Sequence, residues 1–357
     1  MKRLLAMGSV TTALLATFAC ASGRGRVTHE AIDQMMRDYD GQIPGASVAV
    51  ISRGRTIFSK SYGLANLETR QLATSKSNYR LASVTKQFTA TAIMILEEQG
   101  KLEYDDSARQ FLPSLPEALS PVTLRHLLSH TSGIIDYEDL IPEARVEQIH
   151  DADVLRLLES EHRLNFRPGS SYRYSNSGYA LLALIVEKAS GRSFATFLRE
   201  EIFLPAGMQA TVAFEEGISR VDRRAFGYSR KDGGFEQTDQ SVTSAVLGDG
   251  GIYSSVEDLA RWDRALEKAT LVRAESLRLS WTPATDTDVS GVRYGFGWRI
   301  SSHRGHETLW HSGETRGFRN VIVRFPGHRL TVIILTNRNE APPHGLALRI
   351  ADQFLSQ

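Results

Sequence analysis

The stretch Arg80–Gly100, RLASVTKQFTATAIMILEEQG, predicts one helix around which the rest of the chain is organised. Between positions 87 and 96 it carries no charge, and apolar side chains fall on every side, so we expect burial all round. Glu97 and Glu98 mark the return to solvent, and Gly100 can end the helix. The fold must therefore supply a core that encloses this helix.

A single lysine interrupts the apolar run. Lys86 follows Ser83 by three residues, which places both side chains on one helical face with the amine within reach of the serine oxygen. A buried ammonium is costly unless it is paired or gives up its proton, which an arginine does not do. Ser83 also falls in the first turn, where free backbone N–H groups favour negative charge. The pattern predicts a nucleophile, a base and one oxyanion donor, although Ser-x-x-Lys alone also arises by chance.

The composition is that of a globular protein and gives no sign of a nucleic-acid-binding function. The 357 residues are 41% hydrophobic and 23% charged, which is typical of a globular protein with a large core. The formal net charge is +1 and the basic residues are scattered, so we expect no nucleic-acid partner.

The N-terminus predicts export. A basic start, Met1–Arg3, precedes an apolar run and small residues around position 20, which is typical of a signal peptide over residues 1–21. Cys20, the only cysteine, is either a lipidated first residue or is discarded by cleavage after Ala21. We therefore expect a periplasmic or secreted protein that meets a membrane only through a lipid anchor at Cys20. An internal disulfide is excluded, so stability has to come from the core.

The strands predicted from the sequence lie near the two ends of the chain. Two β-rich runs, Ala46–Ser52 and Thr56–Tyr62, flank Arg53-Gly54 and predict a hairpin. Further strands are predicted at 293–301, 308–311, 317–325 and 330–335, and terminal helices at 28–38 and 346–355. We therefore predict an α+β fold in one domain over residues 28–357. Its antiparallel sheet is built from both chain ends and flanked by terminal helices, with an all-α region inserted over about 81–270.

Two residues before a second apolar helix, Gly178–Ala189, are candidate partners of the serine. Tyr174 and Asn176 precede or open that helix, and side chains at a helix N-terminus often face a cleft. The structural alternatives are a packed tyrosine and an ordinary N-cap.

Two other motifs suggest ligands but are weaker. His126 and His130 have the i, i+4 spacing of metal ligands, yet no glutamate follows His126 and no third ligand is evident. We expect no metal, and expect these histidines to hold the turn at Gly133 near the site. The glycine-rich run Gly248–Gly251 lacks a P-loop lysine, so close backbone packing is the favoured reason for its glycines.

Three short motifs occur in order along the chain: Ser83-Val84-Thr85-Lys86, Tyr174-Ser175-Asn176 and His311-Ser312-Gly313. Together they resemble the serine hydrolase superfamily of penicillin-recognising enzymes. The resemblance is to the branch that holds class C β-lactamases, DD-carboxypeptidases, D-aminopeptidases and related esterases. It extends from the first hairpin to the final helix and implies a β-lactamase-like fold.

The resemblance assigns roles to these residues. Ser83 would be acylated, Lys86 would move its proton, and Tyr174 would act with Lys86 as base and then as acid toward the leaving group. Asn176 would bind Lys86 and the substrate amide. His311, Ser312 and Gly313 would form the far wall, with Gly313 admitting the substrate to the backbone. The N–H groups of Ser83 and Glu314 would form the oxyanion hole.

One position departs from the β-lactamase pattern. Class C β-lactamases carry lysine where this chain has His311, and histidine is mostly neutral near pH 7. This favours the peptidase and esterase members over a dedicated β-lactamase. Arg316 and Arg319 follow closely, and we expect Arg316 to supply the missing charge to an acidic substrate.

The function predicted from sequence is therefore acyl-enzyme hydrolysis of amides or esters. The substrates would be small molecules or peptidoglycan-derived, such as D-amino-acid peptides, small esters or β-lactams, and no cofactor is implied. One alternative is a non-catalytic penicillin-binding sensor with the same fold. Another is a classical α/β-hydrolase, which the absence of Gly-x-Ser-x-Gly disfavours.

Overall fold

The structure, a computed structural model, describes residues 29–355. The predicted signal peptide and Cys20 lie outside the described residues. Among the helices of residues 29–355, none is both long enough and apolar enough to span a bilayer.

An eight-stranded antiparallel sheet joins the two ends of the chain, as predicted. Its strands are β1 (Ala46–Ser52), β2 (Arg55–Tyr62), β10 (Thr285–Asp286), β11 (Arg293–Tyr294), β12 (Arg299–His303), β13 (His306–Thr315), β14 (Phe318–Phe325) and β15 (Leu330–Thr336). Their order across the sheet is β10-β11-β12-β13-β14-β15-β1-β2. The N-terminal hairpin thus pairs with the last strand, with Ala46 opposite Thr336.

Both faces of strand β1 are buried, because helices cover the sheet on each side. Val48 and Val50 pack with the terminal helices, whereas Ala49 and Ile51 face the core on the helical side. A strand buried on both faces is mostly apolar, and the run Ala46–Ser52 shows this from position 48 to position 51. The buried Ser47 is the polar exception, and its hydroxyl is hydrogen-bonded to Ser61, Thr74 and Tyr79. The hairpin turn after it, Arg53-Gly54, has positive φ at both residues, as a tight two-residue turn requires.

Helices cover both faces of the sheet. The helices are α1 (29–35), α2 (Lys86–Glu98), α3 (Ala108–Phe111), α4 (Leu124–Leu128), α5 (Asp151–Glu159), α6 (Asn176–Ser190), α7 (Phe194–Phe197), α8 (Leu247–Gly250), α9 (Val256–Lys268), α10 (Ala274–Ser280) and α11 (His344–Leu355). The terminal helices α1 and α11 pack on one face, and α9 lies against β1 and β15 on the other.

The inserted region is not all-α, which corrects the prediction. It also contains β6 (Val212–Ala213), which pairs with β9 (Ile252–Ser254), and a hairpin of β7 (Tyr228–Lys231) with β8 (Gly234–Gln237). Just before the region, β3 (Leu64–Asn66) pairs with β4 (Gln71–Leu72), and β5 (Tyr79–Arg80) pairs with β9. The strands of these ladders are two to four residues long, too short to give a period-2 pattern in the sequence.

The predicted central helix is present and enclosed. Helix α2 is buried from Lys86 to Leu96, as its uncharged sequence indicates. It begins later than predicted, because the four residues before it, Ala82–Thr85, form a 3-10 turn and Ala82 has φ +50°. Ser83 therefore lies in this turn rather than in the α-helix.

The predicted strand 293–301 is interrupted, and this changes the neighbourhood of the site. The backbone turns at Gly295–Trp298, so that β11 and β12 form a hairpin with Tyr294 opposite Arg299. Gly297 has φ +75°, and a side chain there would meet the Lys86 carbonyl oxygen at 2.7 Å. The turn thus packs directly on the start of α2, which requires glycine at this point.

Candidate active site

The predicted nucleophile lies in a cleft between the helical region and β13. Ser83 comes from the 3-10 turn before α2, and Asn176 is the first residue of α6. The cleft is lined by Arg80, Ala82, Ser83, Tyr137, Glu138, Asn176, Thr243, Asp249, Gly250, Glu314 and Thr315. Residues from segments far apart in the sequence thus lie around Ser83.

Lys86 connects the elements of the site. It is fully buried, and its Nζ donates to Ser83 Oγ at 3.1 Å, to Asn176 Oδ1 at 2.8 Å and to the Asp249 carbonyl oxygen at 3.1 Å. These acceptors occupy the three donor positions of an ammonium and hold the nitrogen beside the serine oxygen. The sequence predicted that the spacing of three residues brings the Lys86 amine within reach of the Ser83 oxygen, and the structure shows this contact.

Both the oxygen and the nitrogen of the Asn176 side-chain amide form hydrogen bonds. Its Oδ1 accepts from Lys86, and its Nδ2 donates to Glu138 Oε1 at 3.0 Å. Its backbone N–H donates to Asp136 Oδ2 at 2.5 Å, so a carboxylate caps the start of α6. Asn176 is therefore part of the lysine's hydrogen-bond network rather than an N-cap, a position that Ser175 occupies.

Tyr174 lies beside Lys86 without a hydrogen bond to it. The Lys86 Nζ is 4.9 Å from the centre of the Tyr174 ring, and the tyrosine hydroxyl has no hydrogen-bond partner among the described residues. The ring of His130 packs on that of Tyr174, with centroids 4.2 Å apart. A catalytic hydroxyl often makes its hydrogen bonds only when substrate is present. The acid–base role of Tyr174 stays a prediction.

The side chain of His311 is buried beside Tyr174, with ring centroids 6.2 Å apart, and is not among the residues that line the cleft around Ser83. Its catalytic role stays a prediction. Its Nδ1 is 2.7 Å from the Ser312 carbonyl oxygen and its Nε2 is 2.9 Å from Tyr294 Oη. Nδ1–H therefore donates to the carbonyl, and Nε2 accepts from the tyrosine. Burial, followed by the charges of Arg299 and Lys86, holds the pKa of His311 well below its usual range. This histidine is neutral.

The other predicted residues of β13 divide into two groups. Glu314 lines the cleft, and its carboxylate is 3.5 Å from the Arg319 guanidinium. Ser312, Gly313 and Arg316 are not among the residues that line it, and Arg316 is exposed. Their roles in substrate binding stay predictions. The oxyanion role of the Ser83 and Glu314 N–H groups stays a prediction.

A second positive charge near Tyr174, besides that of Lys86, comes from Arg299, which sequence reasoning missed. Its guanidinium carbon is 5.6 Å from the Tyr174 ring centre and 5.5 Å from that of Trp310. Arg299 reaches this place because β12 pairs with β13, with Arg299 opposite Trp310. Only the strand register places the two together.

Acidic groups around the cleft were also missed. Tyr137 donates its hydroxyl proton to Asp249 Oδ2 at 2.8 Å, and Glu138 follows directly in the chain. Burial, followed by the charge of Asp136, raises the pKa of Glu138. Asp136 and Glu138 both accept hydrogen bonds from Asn176, so two carboxylates lie beside the partner of Lys86.

The two histidines with metal-ligand spacing serve the backbone. His126 Nδ1 accepts the Thr123 N–H at 3.2 Å, and His130 Nδ1 accepts the Ser175 N–H at 3.2 Å. The part of the chain that the structure describes contains no group of three or more His, Cys, Asp or Glu residues able to hold a metal ion. His130 thereby holds the segment that carries Tyr174.

The glycine of the third motif packs closely against the backbone, and its role in admitting the substrate stays a prediction. A side chain at Gly313 would meet the Leu81 carbonyl oxygen at 1.9 Å, and at Gly248 it would meet the Tyr179 carbonyl oxygen at 2.3 Å. The close-packing interpretation of Gly248 is confirmed. Gly313 lets β13 lie against the turn that carries Ser83.

We expect Gly313→Ala to lower the free energy of unfolding by about 1–3 kcal/mol, since either β13 or the serine turn has to move. Urea unfolding followed by circular dichroism measures this change. The matched control is Gly345→Ala in α11, where a side chain meets nothing within 4 Å. Equal stability of the two variants would contradict the packing argument.

A buried carboxylate gives a pH-dependent prediction. Asp151 accepts the N–H groups of Leu247 and Gly248 at 2.8 and 2.9 Å, and burial raises its pKa from 3.8 to about 7. A raised folded-state pKa means that the folded protein binds this proton more tightly than the unfolded chain does. The group's contribution to stability is therefore largest below about pH 4 and is lost as pH rises to about 7.

Asp151→Asn removes this titration. We expect its free energy of unfolding, relative to the parent protein, to rise by up to about 4 kcal/mol between pH 4 and pH 8. Urea unfolding at a series of pH values measures the difference. Parallel pH profiles for the two proteins would show that Asp151 titrates normally.

The fold, the buried lysine at the serine and the order of the three motifs define a β-lactamase-related serine hydrolase. The chain belongs to the Beta-lactamase family, which matches residues 29–355.

Three relatives illustrate the breadth of this family. Penicillin-binding protein 4* of Bacillus subtilis is 34% identical over 329 residues, covering 87% of this chain and 72% of that protein. A D-aminopeptidase of Gluconobacter oxydans is 30% identical over 302 residues; the match covers 84% of this chain but only 56% of the relative. The structure of an octameric penicillin-binding protein homologue from Pyrococcus abyssi superposes with a TM-score of 0.83 at 28% identity, covering 92% of this chain and 77% of that one.

Proposed function

We propose that this protein is an amidase that hydrolyses D-amino-acid amides or short peptides with a free α-ammonium group, through an acyl-enzyme on Ser83. The observation that carries the proposal is the buried Lys86, held against Ser83 by Asn176 and the Asp249 carbonyl. Burying a lysine ammonium beside a hydroxyl costs free energy, and a role for the lysine in proton transfer explains why it is there.

In the proposed reaction the Lys86 ammonium first gives up one proton to solvent, and the neutral amine then receives the proton of Ser83 as Oγ attacks the substrate carbonyl carbon. The oxyanion is stabilised by the N–H groups of Ser83 and Glu314. Tyr174 donates a proton to the departing nitrogen, the carbon–nitrogen bond breaks, and the acyl group stays on Ser83. Lys86 returns its proton to Tyr174 and is again a neutral amine. A water molecule then attacks the ester, Lys86 takes the water proton and passes it to Ser83 Oγ, and the acid is released.

A carboxylate in the cleft supports a cationic group on the substrate. Glu138 lines the cleft and forms no ion pair among the described residues, whereas Glu314 is paired with Arg319. Burial raises the pKa of Glu138, and an incoming ammonium would relieve the cost of its charged form. The D configuration is proposed from the D-aminopeptidase relative alone.

The first experiment compares p-nitroanilides of D-alanine, L-alanine and N-acetyl-D-alanine. We expect the free D-amine to be hydrolysed fastest, and Glu138→Gln to raise its KM about tenfold while leaving the acetylated compound unchanged. Equal loss on both compounds would assign Glu138 a structural role only. Faster hydrolysis of the acetylated compound would refute ammonium recognition.

A second experiment separates hydrolases from a binding protein or sensor of the same fold. Intact-mass analysis after incubation with benzylpenicillin follows any adduct on Ser83 over time. A brief adduct indicates a β-lactamase, and a slowly released one a peptidase-like enzyme. A permanent adduct together with no turnover of any amide or ester would favour the sensor.

We also propose that the protein is exported, on the strength of the basic and apolar residues at positions 1–19. The mass of the N-terminal peptide from membrane and periplasmic fractions tests this. A lipidated Cys20 would indicate an anchor, and cleavage after Ala21 a soluble form. Retention of Met1 in the cytoplasm would refute export.

A further inference from the structure

Arg80 lies at the floor of the candidate active site in an unusual electrostatic position. It is 3% exposed, lines the same cleft as Ser83, and precedes that serine by three residues. Its guanidinium donates to the Ser244 carbonyl oxygen at 2.6 Å and to Gln240 Oε1 at 3.3 Å, whereas its Nε has no hydrogen-bond partner among the described residues. Both acceptors are neutral.

The other buried arginines are neutralised. Arg324 is 2.7 Å from Asp263, and Arg338 is 2.7 Å from Glu340. Within residues 29–355, no carboxylate forms an ion pair with Arg80. A buried cation usually requires an anion, so Arg80 lacks a counter-charge that its location in the cleft allows a ligand to provide.

The position of Tyr174 indicates which part of a substrate would reach Arg80. Tyr174 would protonate the leaving group, yet it does not line the part of the cleft that contains Arg80 and Thr243. In the proposed mechanism the leaving group would lie beside Tyr174, away from the lining that includes Arg80, and the acyl half of the substrate would lie beside Arg80. Gln240, at 3.3 Å, is the weaker of the two hydrogen-bond partners and the one that a carboxylate would displace.

We propose that Arg80 binds a carboxylate on the acyl half of the substrate, so that the preferred substrates are amides of an acidic D-amino acid such as D-glutamate. This inference rests on the proposed amidase function. Glu138 would bind the α-ammonium group while Arg80 binds the side-chain carboxylate.

The test compares two nearly isosteric substrates, the α-p-nitroanilides of D-glutamate and D-glutamine, which differ by a carboxylate and an amide. We expect kcat/KM to favour D-glutamate by about ten- to a hundredfold, mainly through KM. Arg80→Gln should reduce this ratio to about one, and Arg80→Lys should leave an intermediate ratio because it keeps the charge but loses the fork. A ratio measured within one variant does not depend on how much of that variant is folded. Arg220→Gln, at a side chain that is 90% exposed, is the matched control.

Each outcome decides the proposal. A ratio near one in the parent protein, or a ratio that Arg80→Gln leaves unchanged, overturns it. If neither anilide is hydrolysed, the amidase function fails, and the same comparison is made with the p-nitrophenyl esters of glutarate and glutaramate, with the Ser83→Ala rate subtracted. If the parent protein prefers the glutarate ester and Arg80→Gln does not, carboxylate binding at Arg80 is supported. If both proteins show this preference, or neither does, carboxylate binding at Arg80 is refuted.

Discussion

Replacing Ser83 by alanine is expected to lower kcat by about 10⁵- to 10⁶-fold on every substrate that the protein hydrolyses. Losses of this size are typical when the nucleophile of a serine hydrolase is removed, because no other group can form the acyl intermediate. Alanine fits the 3-10 turn without strain, so the fold should be retained. Progress curves with a chromogenic ester and a p-nitroanilide measure the loss, and intact mass shows whether an adduct still forms.

The matched control is Ser302→Ala, an exposed serine on β12 that should leave kcat within twofold. Turnover surviving in Ser83→Ala at more than about one per cent of the parent rate would place the nucleophile elsewhere.

Replacing Lys86 by methionine is expected to lower kcat by about 10³- to 10⁴-fold, with a small change in the free energy of unfolding. Methionine occupies nearly the same buried volume, and general-base catalysis contributes about 10²–10⁴-fold to a typical rate. The loss should fall on kcat rather than KM, because Lys86 contacts Ser83 and Asn176 rather than the cleft surface. The pKa of Asp249, about 7 with the lysine charge present, should rise further when that charge is removed.

Lys101→Met, an exposed lysine just beyond α2, is the control for charge removal. The double variant Ser83→Ala, Lys86→Met should be no slower than Ser83→Ala alone, since the two groups act as one unit. Additive losses would mean that Lys86 acts on a step that does not involve Ser83.

The part of the site that could be predicted from sequence is the local part. Ser83 and Lys86 are three residues apart, and the geometry of one helical turn fixes their relation without any tertiary information. The uncharged run after them likewise required a buried helix, which the structure has. Asn176 was predictable for the same reason, as a polar residue at the start of an apolar helix.

The residues that were missed depend on pairing and on which face of an element is buried. Arg299 reaches Tyr174 only through the hairpin of β11 and β12, and two glycines hidden in a predicted strand make that turn. On β13, alternate side chains face opposite sides, and nothing in the motif itself says which side His311 takes. Arg80 shows no distinctive pattern in the sequence, because its isolation from carboxylates exists only in three dimensions.

The pairing of β1 with β15 also bears on how the molecule is made. Residue 46 is hydrogen-bonded to a strand that ends at residue 336, so nearly the whole polypeptide has to leave the ribosome before the sheet can be completed. At elongation rates of about 5–20 residues per second, β13 follows Ser83 by roughly ten seconds or more. A nascent chain therefore carries the serine and the lysine well before strand β13, which supplies Glu314 to the cleft. The topology delays hydrolytic competence until synthesis is nearly finished.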